Sequence, residues 1–216
     1  MVPLPAGDWY VFRIDEGELR VTNPVEQHQA SKTVDIHLVQ RVGNQLAMVM
    51  RVQALKEALP GRLVALHFDN PCKREDTLYR NPYDSGGTVV NCLLVNHLVR
   101  YLRTASKGVF ADMREWLGKE GVELPWTMLN ATFAQNQPRR YLTVHITINP
   151  GLRGLESTAS NWVSNPFHRT LIGRDEARDR YVKEFIAWSE AYKPLLAFSR
   201  TAGSGAATTG PVPAFK

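Results

Sequence analysis

The chain has 216 residues, 44% of them hydrophobic, and this length and apolar content exclude a wholly disordered protein. Its formal net charge of +5 is compatible with a polyanionic partner such as nucleic acid. No apolar run is long enough for a membrane span, and the first eight residues lack the features of a signal peptide, so we expect no membrane contact and a cytoplasmic location.

The positive charge is unevenly distributed. Residues 1–87 carry 10 Lys and Arg against 11 Asp and Glu, a net charge of −1, whereas residues 88–216 carry 16 against 10, a net charge of +6. All of the excess positive charge therefore lies in the second part of the chain. This excess charge predicts a binding surface, or alternatively a surface that only keeps the protein in solution.

Residues 8–70 form a β-rich part, in which short strand-like runs are separated by turn residues. The runs 9–14 and 18–22 flank Asp15-Glu16-Gly17 and predict a first hairpin. Apolar residues that alternate on both sides of Gly43-Asn44 predict a second hairpin with one buried face.

A helical turn over residues 54–59 and a strand over residues 63–68 follow these hairpins. Five strands with a short helix before the last are compatible with an OB-like fold or another curved barrel. Residues 70–87 are polar and rich in turn formers, and they predict a long surface loop.

Residues 88–103 are the longest apolar run. At about 100° per residue its apolar positions cover a wide arc, which predicts a mostly buried helix, with a strand as the alternative because of its valines. Cys92 lies in this run and Cys72 is the only other cysteine, so a disulfide scaffold typical of secreted proteins is not expected.

Two further helices are predicted over residues 109–119 and 175–193, where apolar residues recur on one helical face. Residues 139–149 alternate between apolar and polar, which predicts a strand. Residues 123–137 are compatible with a strand as well.

These elements predict an α+β protein in which an N-terminal antiparallel sheet packs with three main helices and a later strand. We expect one domain over residues 1–200, with a mixed helical part over 88–200. Residues 201–216 are low in complexity and predict a disordered tail.

No pattern for a cofactor or a metal is present. Gly203-Ser204-Gly205 lacks the preceding strand and following helix that a nucleotide-binding loop requires. The six histidines are scattered, and neither cysteine belongs to a Cys-x-x-Cys pair. We therefore predict no cofactor and no metal site.

One short motif suggests an enzyme. Val144-His145-Ile146-Thr147-Ile148 resembles the apolar-His-x-Thr-apolar strand that two-histidine phosphoesterases carry twice, and His168-Arg169-Thr170 is a second His-x-Thr. The resemblance implies phosphodiester chemistry with two histidines as general acid and base and two hydroxyls that hold the phosphate oxygens. The candidate catalytic residues are then His145, Thr147, His168 and Thr170.

Basic residues interleaved with aromatic ones favour a different function, since guanidinium groups neutralise phosphates and rings stack on bases. Our leading hypothesis is a non-catalytic protein that binds RNA or single-stranded DNA as a subunit of a larger assembly with other protein subunits. The candidate contact residues are Arg100, Arg103, Arg139, Arg140, Tyr141, His145, Arg153, Trp162, Arg169 and Arg174. The alternatives are an assembly protein without nucleic-acid contact and a phosphoesterase or ribonuclease that uses His145 and His168.

Overall fold

The computed structural model of the protein describes residues 2–21, 29–56, 71–83, 90–137, 140–196 and 211–215. This part of the chain has the predicted α+β composition. The strands are β1 (Trp9–Val21), β2 (Gln29–Val42), β3 (Gln45–Leu55), β4 (Tyr79–Pro82), β5 (Val90–Val99), β6 (Thr127–Gln137) and β7 (Arg140–Ile148). The helices are α1 (Val109–Lys119) and α2 (Glu176–Tyr192), and short 3-10 segments occur at Pro71–Lys73, Pro150–Arg153, Ile172–Arg174 and Lys193–Leu196.

All seven strands form one antiparallel sheet in the order β1-β2-β3-β7-β6-β5-β4. Strands β1 and β4 are its two edges, so the sheet is open and the predicted OB-like or curved barrel is wrong. The first three strands and the last four each form a meander. Pairing of β3 with β7 joins the two meanders and places β7 in the middle of the sheet.

The prediction of a helix over residues 88–103 is wrong, because residues 90–99 of this run form strand β5. Two helices, and not three, therefore occur among the residues described. Leu93 and Val95 lie on one side of β5 and Cys92 and Leu94 on the other, and all four are buried. A strand buried on both faces reads as a continuous apolar run, and such a run fits the helical period as well as the strand period.

The first predicted hairpin is also wrong. Strand β1 continues through Asp15-Glu16-Gly17 without a turn and pairs with β2 along its length. The second hairpin is confirmed, since β2 and β3 pair across Gly43 and Asn44. Gly43 has a φ of 59°, which glycine adopts at little cost and which hairpin turns of this length require.

Several other predictions concern the chain between β3 and β5. The first two residues of the helical turn predicted over 54–59 belong to β3. Residues 57–59 of that turn, and the whole strand predicted over 63–68, lie outside the described residues. The loop predicted over 70–87 contains, in its described part, a 3-10 segment and the edge strand β4.

The remaining sequence patterns agree with the structure. Strand β7 confirms the alternation over residues 139–149, and β6 lies within the run 123–137. Helix α1 has the predicted bounds. Helix α2 is confirmed as well, and Asp175 caps it by accepting a hydrogen bond from the backbone N–H of Arg178 at 3.0 Å.

The two faces of the sheet are covered differently. Helix α2 packs on one face, which we call the apolar face. Helix α1 covers only an end of the opposite face. Buried residues of the α2 layer are Phe133, Val144, Ile146, Val182, Phe185, Trp188 and Tyr192, and those of the α1 layer are Val39, Leu46, Val49, Leu102, Met113, Leu117 and Met128. Polar side chains of the middle strands β3, β7 and β6 occupy another part of this second face.

The end of the chain returns to α2. Residues 201–210 of the predicted tail lie outside the described residues. Phe215 lies with its ring centre 5.5 Å from that of Phe185 and 5.7 Å from that of Trp188. Trp188 Nε1 donates a hydrogen bond to the backbone oxygen of Pro213 at 2.8 Å. The last residues therefore add to the core layer that α2 forms.

Cys72 and Cys92 form a disulfide that joins the segment before β4 to β5. The sequence does not predict this bond, because the apolar run places Cys92 in a helix. In β5 the same side chain points to the side of the sheet on which Cys72 lies. None of the helices in the described part of the chain has the length and apolar content needed to cross a membrane.

Candidate functional site

Polar side chains line the part of the second sheet face that lies next to the α1 layer. The strand register creates this surface: Arg51 is opposite both His37 and His145, and His145 is opposite Thr132. Directly opposed residues point to the same side of a sheet. We call this surface the polar face, and its other members are Asp35, Gln53, Asn130, Tyr141, Thr143 and Thr147.

Asp35 orients two side chains of the polar face. Arg51 Nε donates to Asp35 Oδ1 at 2.9 Å, and Arg51 Nη2 donates to Oδ2. His37 Nε2 lies 3.2 Å from Asp35 Oδ1. Burial acts to raise the pKa of Asp35, but the hydrogen bonds and charges of His37 and Arg51 outweigh it and hold that pKa well below its usual range. Asp35 is therefore a carboxylate at neutral pH.

His145 is held from the other side by a chain of hydrogen bonds. The Thr147 hydroxyl donates to Asn130 Oδ1 at 2.9 Å, and Asn130 Nδ2 donates to the Thr132 hydroxyl oxygen at 2.8 Å. That hydroxyl lies 3.0 Å from His145 Nδ1. Because the Thr132 hydroxyl oxygen already accepts from Asn130, its hydrogen is available for donation to His145 Nδ1. In the tautomer that accepts this hydrogen, the imidazole hydrogen is on Nε2.

The electrostatic surroundings keep His145 neutral. Burial lowers its pKa to about 4, and the positive charge of Arg51 acts in the same direction. A base this weak is little suited to take a proton at neutral pH. The neutral ring is instead a hydrogen-bond donor through Nε2, and it stands next to the Arg51 guanidinium.

The end of α1 borders the polar face. His37 is only 1% exposed, and its Nδ1 is buried with no hydrogen-bond partner in the described part of the chain. The ring of Phe110 in α1 meets the His37 ring edge-on at 5.6 Å, and Phe110 also contacts Tyr101. Burial raises the pKa of Tyr101 well above its usual range, so the phenol beside Arg51 is protonated.

A second group of functional interest surrounds Trp126, just before β6. The Arg103 guanidinium carbon lies 4.4 Å from the centre of the Trp126 ring, and that of Arg100 lies 5.6 Å from it. Arg114 of α1 donates from Nη1 to the backbone oxygen of Arg103 at 3.3 Å. We call these four residues the Trp126 group. None of its arginines forms a salt bridge with a described residue.

Arg100 has an unusual backbone conformation. Its φ is 56°, and it is the one non-glycine residue with a positive φ in the described ranges. An L-residue in this region costs roughly 1 kcal/mol. Its backbone N–H donates to the oxygen of Trp126 at 2.7 Å, and its Nε is buried without a partner among the described residues. This conformation places the Arg100 guanidinium group beside the Trp126 ring.

The structure does not gather the predicted arginines on one surface. Arg100 and Arg103 lie near Thr127 at the start of β6, whereas Arg140 pairs with Gln137 at its end. The ten residues between these ends span about 33 Å of strand. Arg139 lies outside the described residues.

The other predicted contact residues are dispersed too. Tyr141 and His145 lie on the polar face, and Tyr141 donates from its hydroxyl to Gln53 Oε1 at 2.8 Å. Arg153 is exposed at the rim of a 420 Å³ cavity between the first residues, the end of β7 and Phe215. Arg169 and Arg174 are exposed, and Arg169 donates to the backbone oxygen of Glu75 at 2.7 Å.

Trp162 belongs to a histidine cluster on the apolar face. Its ring stacks on that of His97 of β5, with centres 3.9 Å apart, and His97 Nε2 lies 3.1 Å from the Trp162 backbone oxygen. His168 meets His97 edge-on at 5.7 Å, and its Nδ1 lies 2.8 Å from the Thr170 hydroxyl. Burial lowers the pKa of His97 to about 4, so this ring is neutral at pH 7.

The two candidate catalytic histidines lie on opposite faces of the sheet. His145 shares its face with Leu94 through the register of β6 and β5, and His97 is three residues further along β5 and so points the other way. His168 contacts His97. The sheet thus separates His145 and Thr147 from His168 and Thr170. In the described part of the chain, no group of three or more His, Cys, Asp or Glu residues could hold a metal ion.

Sequence reasoning missed Asp35, Arg51, Thr132, Arg114 and Trp126. A usable signal existed for Arg51, since a single charge interrupts the apolar strand β3, and buried charges are rare unless paired. The partners of Arg51 come from β2 and β7, which are distant in sequence. No local pattern could have identified them.

No family model, no curated protein and no solved structure matches the chain. Its function is therefore inferred from its own residues.

Proposed function

We propose that this protein binds single-stranded nucleic acid, RNA or DNA, without catalysing a reaction on it, and that the Trp126 group is its main contact. The observation that carries this proposal is the pair of guanidinium groups within 6 Å of one indole ring, 4.4 Å for Arg103 and 5.6 Å for Arg100. Guanidinium groups neutralise phosphates, while an indole stacks on bases of any sequence.

The charges of the Trp126 group are available to such a ligand. Arg103 uses Nε and Nη2 to hold the backbone oxygen of Leu124, which fixes its position without neutralising it. Arg114 is fixed in the same way by the backbone oxygen of Arg103. Glu123 and Glu156 line a 170 Å³ pocket with Arg103, and in the described part of the chain neither forms a salt bridge with an arginine of the Trp126 group. Two guanidinium groups beside one ring, with a third arginine on the neighbouring helix α1, suit a phosphate backbone with an unpaired base.

The test is the salt dependence of binding to labelled oligouridine and oligothymidine, measured by fluorescence anisotropy. Three phosphate contacts give a slope of about −2 for the logarithm of affinity against the logarithm of salt concentration. Arg103→Gln reduces the magnitude of this slope by about 0.7. Trp126→Leu weakens binding by roughly 1–3 kcal/mol.

The matched control is Lys183→Gln on α2, which also removes one positive charge, from a lysine paired with Asp179 on the apolar side of the molecule. This variant keeps the affinity and slope of the natural protein. Absence of binding to either oligonucleotide at low salt, or equal losses in Arg103→Gln and Lys183→Gln, contradicts the proposal.

An assembly role is the second candidate, and the edge strand β1 favours it. This strand has 13 residues and pairs only with β2 among the strands described, and its Val11 and Ile14 side chains are 60% and 58% exposed. Long exposed edge strands add further strands from other chains. Pairing of β1 with β1 of a second copy predicts a dimer that Ile14→Lys dissociates, measured by analytical ultracentrifugation. A monomer at every concentration contradicts it.

A further inference from the structure

The polar face contains hydrogen-bond donors that the proposed nucleic-acid contact does not use. Arg51 donates from Nε and Nη2 to Asp35, and its Nη1 makes no hydrogen bond to a described residue. His145 Nδ1 is hydrogen-bonded to the Thr132 hydroxyl, and its Nε2 likewise lacks a partner in the described ranges. Neither atom is among the buried atoms without a partner, so solvent reaches both.

These two donors are close neighbours. Arg51 and His145 are directly opposed in the pairing of β3 with β7. Opposed residues of an antiparallel pair have Cβ atoms roughly 5 Å apart and point the same way. One small acceptor group can therefore lie within reach of both side chains.

Both donors are held in position before any ligand binds. The Asp35 carboxylate accepts hydrogen bonds along the Nε–Nη2 edge of the Arg51 guanidinium, which leaves Nη1 able to donate to a ligand. The chain from Thr147 through Asn130 and Thr132 fixes the His145 ring. Fixed donors lose little entropy on binding, which is how a binding site gains affinity.

From this arrangement we infer that the polar face binds a phosphate oxyanion, with Arg51 Nη1 and His145 Nε2 as its two donors. Arg51 supplies a planar, charge-assisted donor edge that suits phosphate oxygens, while its charge is shared with Asp35. His145 supplies a neutral N–H, and its low pKa agrees with this role. The site is distinct from the Trp126 group, and it does not depend on the proposed function.

Amide substitutions at His145 test this assignment most sharply. The amide nitrogen of Gln occupies the position of Nε2, whereas that of Asn occupies the position of Nδ1. His145→Gln keeps binding of inorganic phosphate within a few-fold of the natural protein, and His145→Asn weakens it at least about tenfold. Arg51→Lys keeps a positive charge beside Asp35 but removes the planar guanidinium edge. It therefore also weakens phosphate binding, by about tenfold or more.

Binding is measured by titration calorimetry and by the NMR signal of the His145 ring carbons. The control is His168→Asn, which changes a histidine on the apolar face and leaves phosphate affinity unchanged. Thermal unfolding of each variant shows that it is folded. Measurable phosphate binding of equal affinity in the natural protein, His145→Asn and His145→Gln overturns the inference.

The phosphate has two possible sources, a free phosphate compound or the backbone of a nucleic acid strand. An abasic deoxyribose-phosphate oligonucleotide separates them. Binding of inorganic phosphate that His145→Asn weakens assigns the site to free phosphate compounds. Binding of the abasic strand alone, weakened by His145→Asn but not by Arg103→Gln, assigns it to a backbone phosphate. If neither probe responds to His145→Asn, the inference is wrong.

Discussion

Asp35 of β2 and Arg51 of β3 form an ion pair through two guanidinium nitrogens on a half-covered face of the sheet, with His37 as the third partner. Their side chains are 18% and 30% exposed. A pair so placed is screened less by water than a surface pair, and the loss of one partner leaves the other with an uncompensated charge.

Asp35→Asn should therefore destabilise the protein by about 2–3 kcal/mol, somewhat less than for a fully buried pair. Urea unfolding of the two proteins measures this difference. The matched control is Asp76→Asn, which breaks the exposed pair of Asp76 with Arg74 and should cost under about 1 kcal/mol. Equal losses in the two variants would show that the Asp35 pair is not special.

The stability of the protein should fall as the pH falls from about 6.5 to about 4. Burial lowers the pKa of both His97 and His145 to about 4 in the folded protein, so in this window the unfolded chain binds protons that the folded protein does not. Each histidine contributes a slope of up to about 1.4 kcal/mol per pH unit. Denaturant unfolding at several pH values measures the sum, and His145→Asn should reduce the slope. An unchanged slope in that variant contradicts the pKa shift.

Arg100→Gly should separate binding from stability. Glycine removes the cost of a positive φ, and this gain offsets the lost contact with Trp126, so the free energy of unfolding should stay within about 1 kcal/mol of the natural value. Affinity for oligouridine should fall, because a guanidinium group is lost. Arg100→Ala keeps the strain and should be the less stable variant. A stable Arg100→Gly protein with full affinity would remove Arg100 from the interface.

Reduction of the disulfide should cost about 3 kcal/mol of stability. The bond closes a loop between residues 20 positions apart, and its removal lets the unfolded chain regain that freedom. Urea unfolding with and without dithiothreitol measures the effect. A double variant, Cys72→Ala with Cys92→Ala, should not respond to the reductant. A natural protein that is equally insensitive would argue against the bond.

Phe215→Ala should destabilise the protein by roughly 2 kcal/mol, less than for a fully buried ring, because the Phe215 side chain packs on α2 while remaining partly exposed. Val163→Ala is the control, since Val163 is 60% exposed and its truncation should change stability by under about 0.5 kcal/mol. Thermal or urea unfolding compares the two. Identical stability of the Phe215 variant and the natural protein would show that the C-terminus contributes nothing to the core.

The sequence predicted some residues of the candidate site and missed others. The alternation of residues 139–149 identified β7, and with it the shared face of Tyr141, His145 and Thr147. Arg100 and Arg103 were also predicted as contact residues. Their neighbours Trp126 and Arg114 were not, because these come from other elements and meet only after β5 pairs with β6 and α1 folds back.

The sequence by itself determined the elements whose local period is unambiguous, namely the β2–β3 hairpin, α1, β7 and α2. Tertiary structure decided the state of residues 90–99, since burial on both faces removes the alternation that distinguishes a strand from a helix. It also decided the pairing of Cys72 with Cys92 and the distance between the two ends of the sheet that carry arginines. The polar face exists because strand register places side chains from distant positions opposite one another, and register is set by pairing between strands and not by any one of them.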